Sequence, residues 1–238
     1  DLLRKDRDLS TIYKPSLIIL SLIAAIVITS CGTGMKLSFK DSDYYYKEAY
    51  FKFSKKPVWV IGNDIINKIN AGEFKVIEKY IDRLVNKKPC TVDGTRVLEK
   101  LYLFVSNRLE SCDMLDKWCA KESSHHASFI FRGNYYISEA WKHRGRGLGY
   151  TVTEEARKKL NEYLSLAKKD FEVAYSMNPD DPNSAAAMIA VCMGLNMGEE
   201  EMDIWFKRAI EADPVTYNAY SKKQNFIRPK WYGTPEKD

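Results

Sequence analysis

Two stretches of this 238-residue chain spell one pattern. Phe171, Ala174 and Pro179 recur as Phe206, Ala209 and Pro214, each 35 residues further on, and Asn178 is matched by Asp213. A period of that length is one helix pair. The packing logic is simple. A small Ala lets two helices close, the aromatic fills the gap beside it, and the Pro breaks the chain before the next unit. One pair cannot bury its apolar face alone, so neighbouring pairs must stack. One period earlier the pattern lands on Glu139 and Arg144, which do not match, so the repeat has two copies.

The remaining periodicity is helical as well. From residue 63, Ile65, Ile66 and Ile69 form a short apolar face that Gly72 can stop. Phe74, Ile77, Tyr80, Ile81, Leu84 and Val85 make one stripe, and Val97, Leu98, Leu101, Tyr102, Val105 and Leu109 another. A shorter helix is expected around Met114, Leu115, Trp118 and Cys119, and a further one, capped by Ser123 or Ser124, runs toward Trp141. Three glycines in Arg144-Gly145-Arg146-Gly147-Leu148-Gly149 break it. Thr151 with Glu154, or Thr153 alone, then caps the longest helix, lined by Ala156, Leu160, Tyr163, Leu164, Ala167, Phe171, Ala174 and Tyr175. No sustained alternation follows residue 63. The expected class is therefore all-α, with an N-terminal helical region over 63–150 and stacked antiparallel helix pairs over 151–238.

The N-terminus reads differently. Arg4, Lys5, Arg7 and Lys14 precede an uncharged run from Pro15 to Ser30 with an apolar heart at Leu17–Ile28. That run is shorter than the roughly 20 residues a spanning helix needs. A basic region followed by a short apolar stretch is the anatomy of a secretory signal, here residues 1–30. The chain begins with Asp1 rather than Met, as an incomplete start would. The run ends in Ile28-Thr29-Ser30-Cys31, which resembles the bacterial lipobox. The resemblance implies that Cys31 is diacylated, becomes the new N-terminus and tethers the protein to a membrane. Gly32 in place of an Asp favours the outer membrane of a two-membrane cell. Residues 31–62 form the tether. Its Tyr44-Tyr45-Tyr46 and Tyr50-Phe51-Lys52-Phe53, interleaved with Lys47, Lys55 and Lys56, suit either a headgroup layer or packing on the domain.

The span 167–229, with its repeat, resembles a tetratricopeptide-like array. Ala71-Gly72-Glu73-Phe74, Asp93-Gly94, Trp118, Trp141-Lys142-His143-Arg144-Gly145, the repeat, and Pro229-Lys230-Trp231-Tyr232-Gly233-Thr234 occur in that order. This is similar to an uncharacterised bacterial helical domain family, of unknown function, borne on lipoproteins and secreted proteins. The resemblance spans roughly 63–236 and implies an architecture and no mechanism. The chain stops at Asp238, where that family leads one to expect another helix.

Chemistry is sparse. Lys and Arg number 37 against 32 Asp and Glu, a charge of +5, and the basic residues are scattered among acids, so no nucleic-acid face is expected. There is no Gly-x-Ser-x-Gly elbow, His-Glu-x-x-His or Walker loop. Glu122-x-x-His125 has di-iron spacing, but such sites need a second pair that the sequence lacks, so no metal or cofactor is expected. After signal removal Cys90, Cys112, Cys119 and Cys192 remain beside the anchor, as disulfides or as buried thiols. Trp141-x-x-Arg144 sits one helical turn apart: either a stacked interface anchor, or a core Trp with an Arg on the helix-end carbonyls.

The leading expectation is a non-enzymatic, lipid-anchored envelope scaffold that binds a protein or peptide, with Trp118, Trp141 and Arg144 as candidate contacts. The alternatives are an envelope hydrolase with a site near His125, His126, His143 and Arg144, and a self-associating structural protein. An enzyme requires several of those polar groups to meet in one pocket.

Overall fold

Pro57 opens the first helix, where its missing N–H costs nothing. The computed structural model describes residues 57–228 apart from Ser123 and Leu148. The signal region 1–30, Cys31, the tether up to residue 56 and Pro229–Thr234 lie outside the described residues. Helix α1 is Val58–Asn70, so residues 58–62 belong to it rather than to the tether. At Gly62 a Cβ would lie 2.3 Å from the Phe104 ring, so the helix presses its backbone on that side chain. Helix α2, Phe74–Lys87, buries the expected stripe of Phe74, Ile77, Ile81, Leu84 and Val85. It ends at Lys88, a left-handed cap with φ 45°.

Helix α3 is Val97–Ser106, α4 Asp113–Cys119 and α5 His126–Arg144. His125, rather than a serine, caps α5, its Nδ1 accepting from the Ala127 N–H at 3.2 Å. Glu122 and His125 therefore precede the helix and share no helical face. Gly145, at φ 72°, ends α5. Thr153 alone caps α6, Glu154–Met177, while Thr151 falls in a short 3-10 turn. Helices α7, Pro182–Gly194, α8, Glu199–Ala212, and α9, Tyr217–Phe226, complete the described chain. Among the described residues there is no strand, only an isolated bridge between Cys90 and Arg96. No helix among them is long and apolar enough to cross a membrane.

The architecture is all-α. The small residues of α7 make it the central helix, buried along nearly its whole length and packed on α6, α8 and α9. Helix α5 lies along α6, with the Phe171 ring over Gly133, where an added Cβ would stand 2.7 Å away. Arg132 on α5 adds a forked ion pair to buried Asp170 on α6, at 2.9 and 2.7 Å, and reaches Asp116 on α4 at 2.9 Å.

The 35-residue recurrence is visible in the backbone. Helix α6 ends at Met177 and α7 begins at Pro182; α8 ends at Ala212 and α9 begins at Tyr217. Asn178 and Asp213 occupy the same conformation, φ −151° and −152°, and each donates its N–H to the carbonyl of Ala174 or Ala209 at 3.0 Å. Asp180 N–H donates to the Asn178 side chain at 3.2 Å, and Val215 N–H to the Asp213 side chain at 3.1 Å. Both alanines are fully buried.

The aromatic halves of the repeat are not equivalent, which corrects the expectation for Phe206. Phe171 is fully buried, whereas Phe206 is half-buried and packs edge-on against Tyr220 with Lys223 above it. Trp205, one position earlier, is the buried aromatic of α8 and meets Tyr175 at 5.5 Å. The two helices share a turn but present different faces to the core.

Both turns are gripped from the N-terminal half. Arg96 forks onto Asp213 at 2.7 and 3.0 Å, and Lys88 Nζ donates to the Ala212 carbonyl at 2.7 Å, a cation at a helix C-terminus. Tyr102 and His126 hold Asp181 at the other turn. Glu99, buried on α3, faces the first residues of α9, and burial raises its carboxyl above the ordinary value. Its neighbour is half-buried Lys222, whose ammonium is pushed by burial down to about 8 from 10.5, against the pull of Glu99. Between those values the unfolded chain keeps a proton that the folded chain has released, so this group's contribution to stability rises with pH. Wild type is expected to gain stability relative to Lys222→Met across that window in urea melts. A flat difference contradicts the burial of the ammonium.

Candidate functional site

The last turns of α3 and the second half of α5 leave a cleft of about 650 Å³ between them. Two lining polar groups are turned back onto α5: Ser106 Oγ donates to the Phe131 carbonyl at 3.0 Å, and Asn134 Nδ2 to the Ile130 carbonyl at 2.9 Å. Half-buried Leu103, Ile137 and Trp141 supply the apolar surface. Lys142 and Arg146 are exposed at its edge. The volume falls within the range of about 300–1,000 Å³ common for ligand pockets.

Trp141 is thus partly a core residue and partly a cleft residue. Its ring reaches α7, where a Cβ on Gly194 would lie 3.7 Å from it. Arg144 holds the loop that follows α5. Nη1 donates to the Gly145 and Gly147 carbonyls, each at 3.0 Å, and the guanidinium stands 5.9 Å from the Trp141 ring centroid. By folding the loop over the helix end, Arg144 places Arg146 at the cleft.

Trp118 is not a surface contact. It is fully buried, stacked on Phe74 at 5.0 Å, with Nε1 donating to Glu78 at 3.0 Å. Its helix is short and amphipathic, and the indole is the side chain that plugs it into the core.

The histidines do not meet in one place. His126 and His143 lie near opposite ends of α5, about 25 Å apart at 1.5 Å per residue. His143 is exposed and stacks on Tyr163 at 5.4 Å. The four-residue constellation of the hydrolase alternative is therefore not assembled.

His125 and His126 enter a different network. His125 Nε2 is 2.9 Å from Asp82 Oδ1 on α2, and the two imidazoles are 4.2 Å apart. His126 Nε2 lies 3.3 Å from Asp181 Oδ2, which also accepts the Tyr102 hydroxyl at 2.9 Å. Asp181 Oδ1 accepts the Asn183 N–H at 3.0 Å and its side-chain amide at 2.7 Å. Burial opposes charge on Asp181, but the His126 and Asn183 contacts outweigh it and hold the carboxyl below its ordinary value. Sequence reasoning missed this network because Asp82 and Asp181 are remote in the chain. Asp181 alone carried a signal, as the residue before Pro182 in a helix-opening turn.

Cys90, Cys112, Cys119 and Cys192 are free thiols. Burial pushes Cys119 up to about 11 and Cys192 up to about 12, and raises Cys112, so these three lack thiolate reactivity. No family model, curated protein or solved structure matches the chain.

Proposed function

We propose that this protein is a lipid-anchored scaffold of a bacterial cell envelope that holds a peptide segment of a partner protein in the Trp141 cleft. The observation that carries this reading is the juxtaposition, on one cleft, of the apolar Leu103, Ile137 and Trp141 with Lys142 and Arg146. A segment with an apolar side chain beside a carboxylate fits it, with Asn107 and Ser138 near enough to meet its backbone. Trp and Arg are the residues that most often anchor such contacts. For residues 151–228 we propose stacked antiparallel helix pairs of tetratricopeptide type. The recurring turn supports that arrangement.

The anchor rests on Ile28-Thr29-Ser30-Cys31 after a short apolar run, with Gly32 favouring the outer membrane. Cells fed a fatty-acid analogue should label the wild type and leave Cys31→Ser unlabelled and out of the membrane fraction. Label in both, or in neither, contradicts the anchor.

Peptide display against the purified protein tests the cleft. Enriched peptides should pair Leu, Phe or Trp with Asp or Glu, and should lose binding to Arg146→Glu and to Ser138→Trp, which fills the cleft. Enrichment that is indifferent to both variants places binding elsewhere.

A further inference from the structure

We propose that Asp82, His125 and His126 form a binding site for a divalent metal ion of the Zn2+ class. One oxygen of Asp82 and one ring nitrogen of each histidine lie within 4.8 Å of one another. Ligands about 2.0–2.2 Å from a tetrahedral ion sit about 3.3 Å apart, so to hold one the widest edges of this cluster close by up to about 1.5 Å and the shortest opens slightly. The shortest edge, His125 Nε2 to Asp82 Oδ1, is 2.9 Å.

The donor set selects the class of ion. Two imidazoles and a carboxylate suit Zn2+, and equally Co2+ as its spectroscopic substitute, whereas Ca2+ and Mg2+ require oxygen ligands. His125 Nδ1 accepts the Ala127 N–H and Nε2 donates to Asp82, so an ion at Nε2 takes the place of that proton and requires the tautomer in which Nδ1 is protonated and released from the Ala127 N–H. His126 is braced by Asp181, itself fixed by Tyr102 and Asn183. A carboxylate behind a metal-binding histidine is the usual outer-shell device for orienting the ring.

Access and charge agree with this. The Asp82 side chain is 54% exposed and that of His125 16%, so an ion enters from solvent and a water completes the coordination. The carboxylates of Asp82 and Asp181 flank the two imidazoles. The three ligands also span two helices, α2 and the start of α5, so an ion would clamp them.

The test uses the full chain in detergent, stripped with a chelator and titrated with Co2+ and then Zn2+. The expected result is one equivalent of Co2+ with visible absorption, no sulfur-to-metal band, and displacement by Zn2+. Asp82→Asn, at an exposed position, and His125→Ala should each weaken Zn2+ binding at least tenfold while melting curves in chelator stay unchanged for Asp82→Asn. Cys112 with Asp113 and Asp116 is a second group of ligand type, and Cys112→Ser should leave the affinity as it was. The proposal is overturned if no stoichiometric Co2+ binds. It is equally overturned if binding survives Asp82→Asn and His125→Ala, or disappears in Cys112→Ser.

Discussion

Arg96→Ala is expected to cost about 3–5 kcal/mol of folding stability, the loss usual when one partner of a buried ion pair is removed. Asp213 is almost fully buried, and its carboxylate takes both prongs of the Arg96 guanidinium. The same guanidinium donates to the Lys88 carbonyl, and its Nη1 lies 3.1 Å from Cys90 Sγ. Truncation therefore strands a buried charge and frees the segment between α2 and α3 from the end of α8. Arg96→Lys should recover only part of the loss, because an ammonium cannot reproduce the fork. Urea melts with an unchanged slope give the number. A cost below about 1 kcal/mol, the scale of an exposed pair, contradicts the clasp.

Phe171→Ala is expected to cost a similar amount, about 3–5 kcal/mol, because the ring is fully buried against the glycine face of α5. Phe206→Ala should cost well under half of that, since its ring is half-buried and leans on Tyr220 at the surface. Gly133→Ala probes the same contact from the other side. Its Cβ would sit 2.7 Å from the Phe171 ring, an overpacking worth about 1–3 kcal/mol. Equal losses for the two Phe variants contradict the difference in facing between α6 and α8.

Phe171 and Phe206 show what the sequence reveals and what it withholds. Helical period and turn chemistry are local, so the stripes of α2, α3 and α6 and both Pro-containing turns were legible residue by residue. The rotation of a helix about its axis depends on what it meets, so Trp205 rather than Phe206 faces inward without any local sign. Trp118 has the same cause: nothing near it in the chain announces that Phe74 and Glu78 will receive its ring. Trp141 and Arg144 were legible as a pair because they lie one turn apart. The cleft beside them was not, since its opposite wall comes from α3. The Asp82–His125 and Asp181–His126 contacts were hidden likewise, being made between distant segments.

The cleft is tested most directly in the cell. A photo-reactive phenylalanine analogue placed at Ser138, inside the cleft, should form one discrete adduct with an envelope protein on illumination. The same residue at Lys169, exposed on α6, should form none. Adding Arg146→Glu should abolish the Ser138 adduct while membrane association and the melting curve stay as they were. Adducts of equal strength from Ser138 and Lys169, or a Ser138 adduct untouched by Arg146→Glu, would contradict a partner held in the Trp141 cleft.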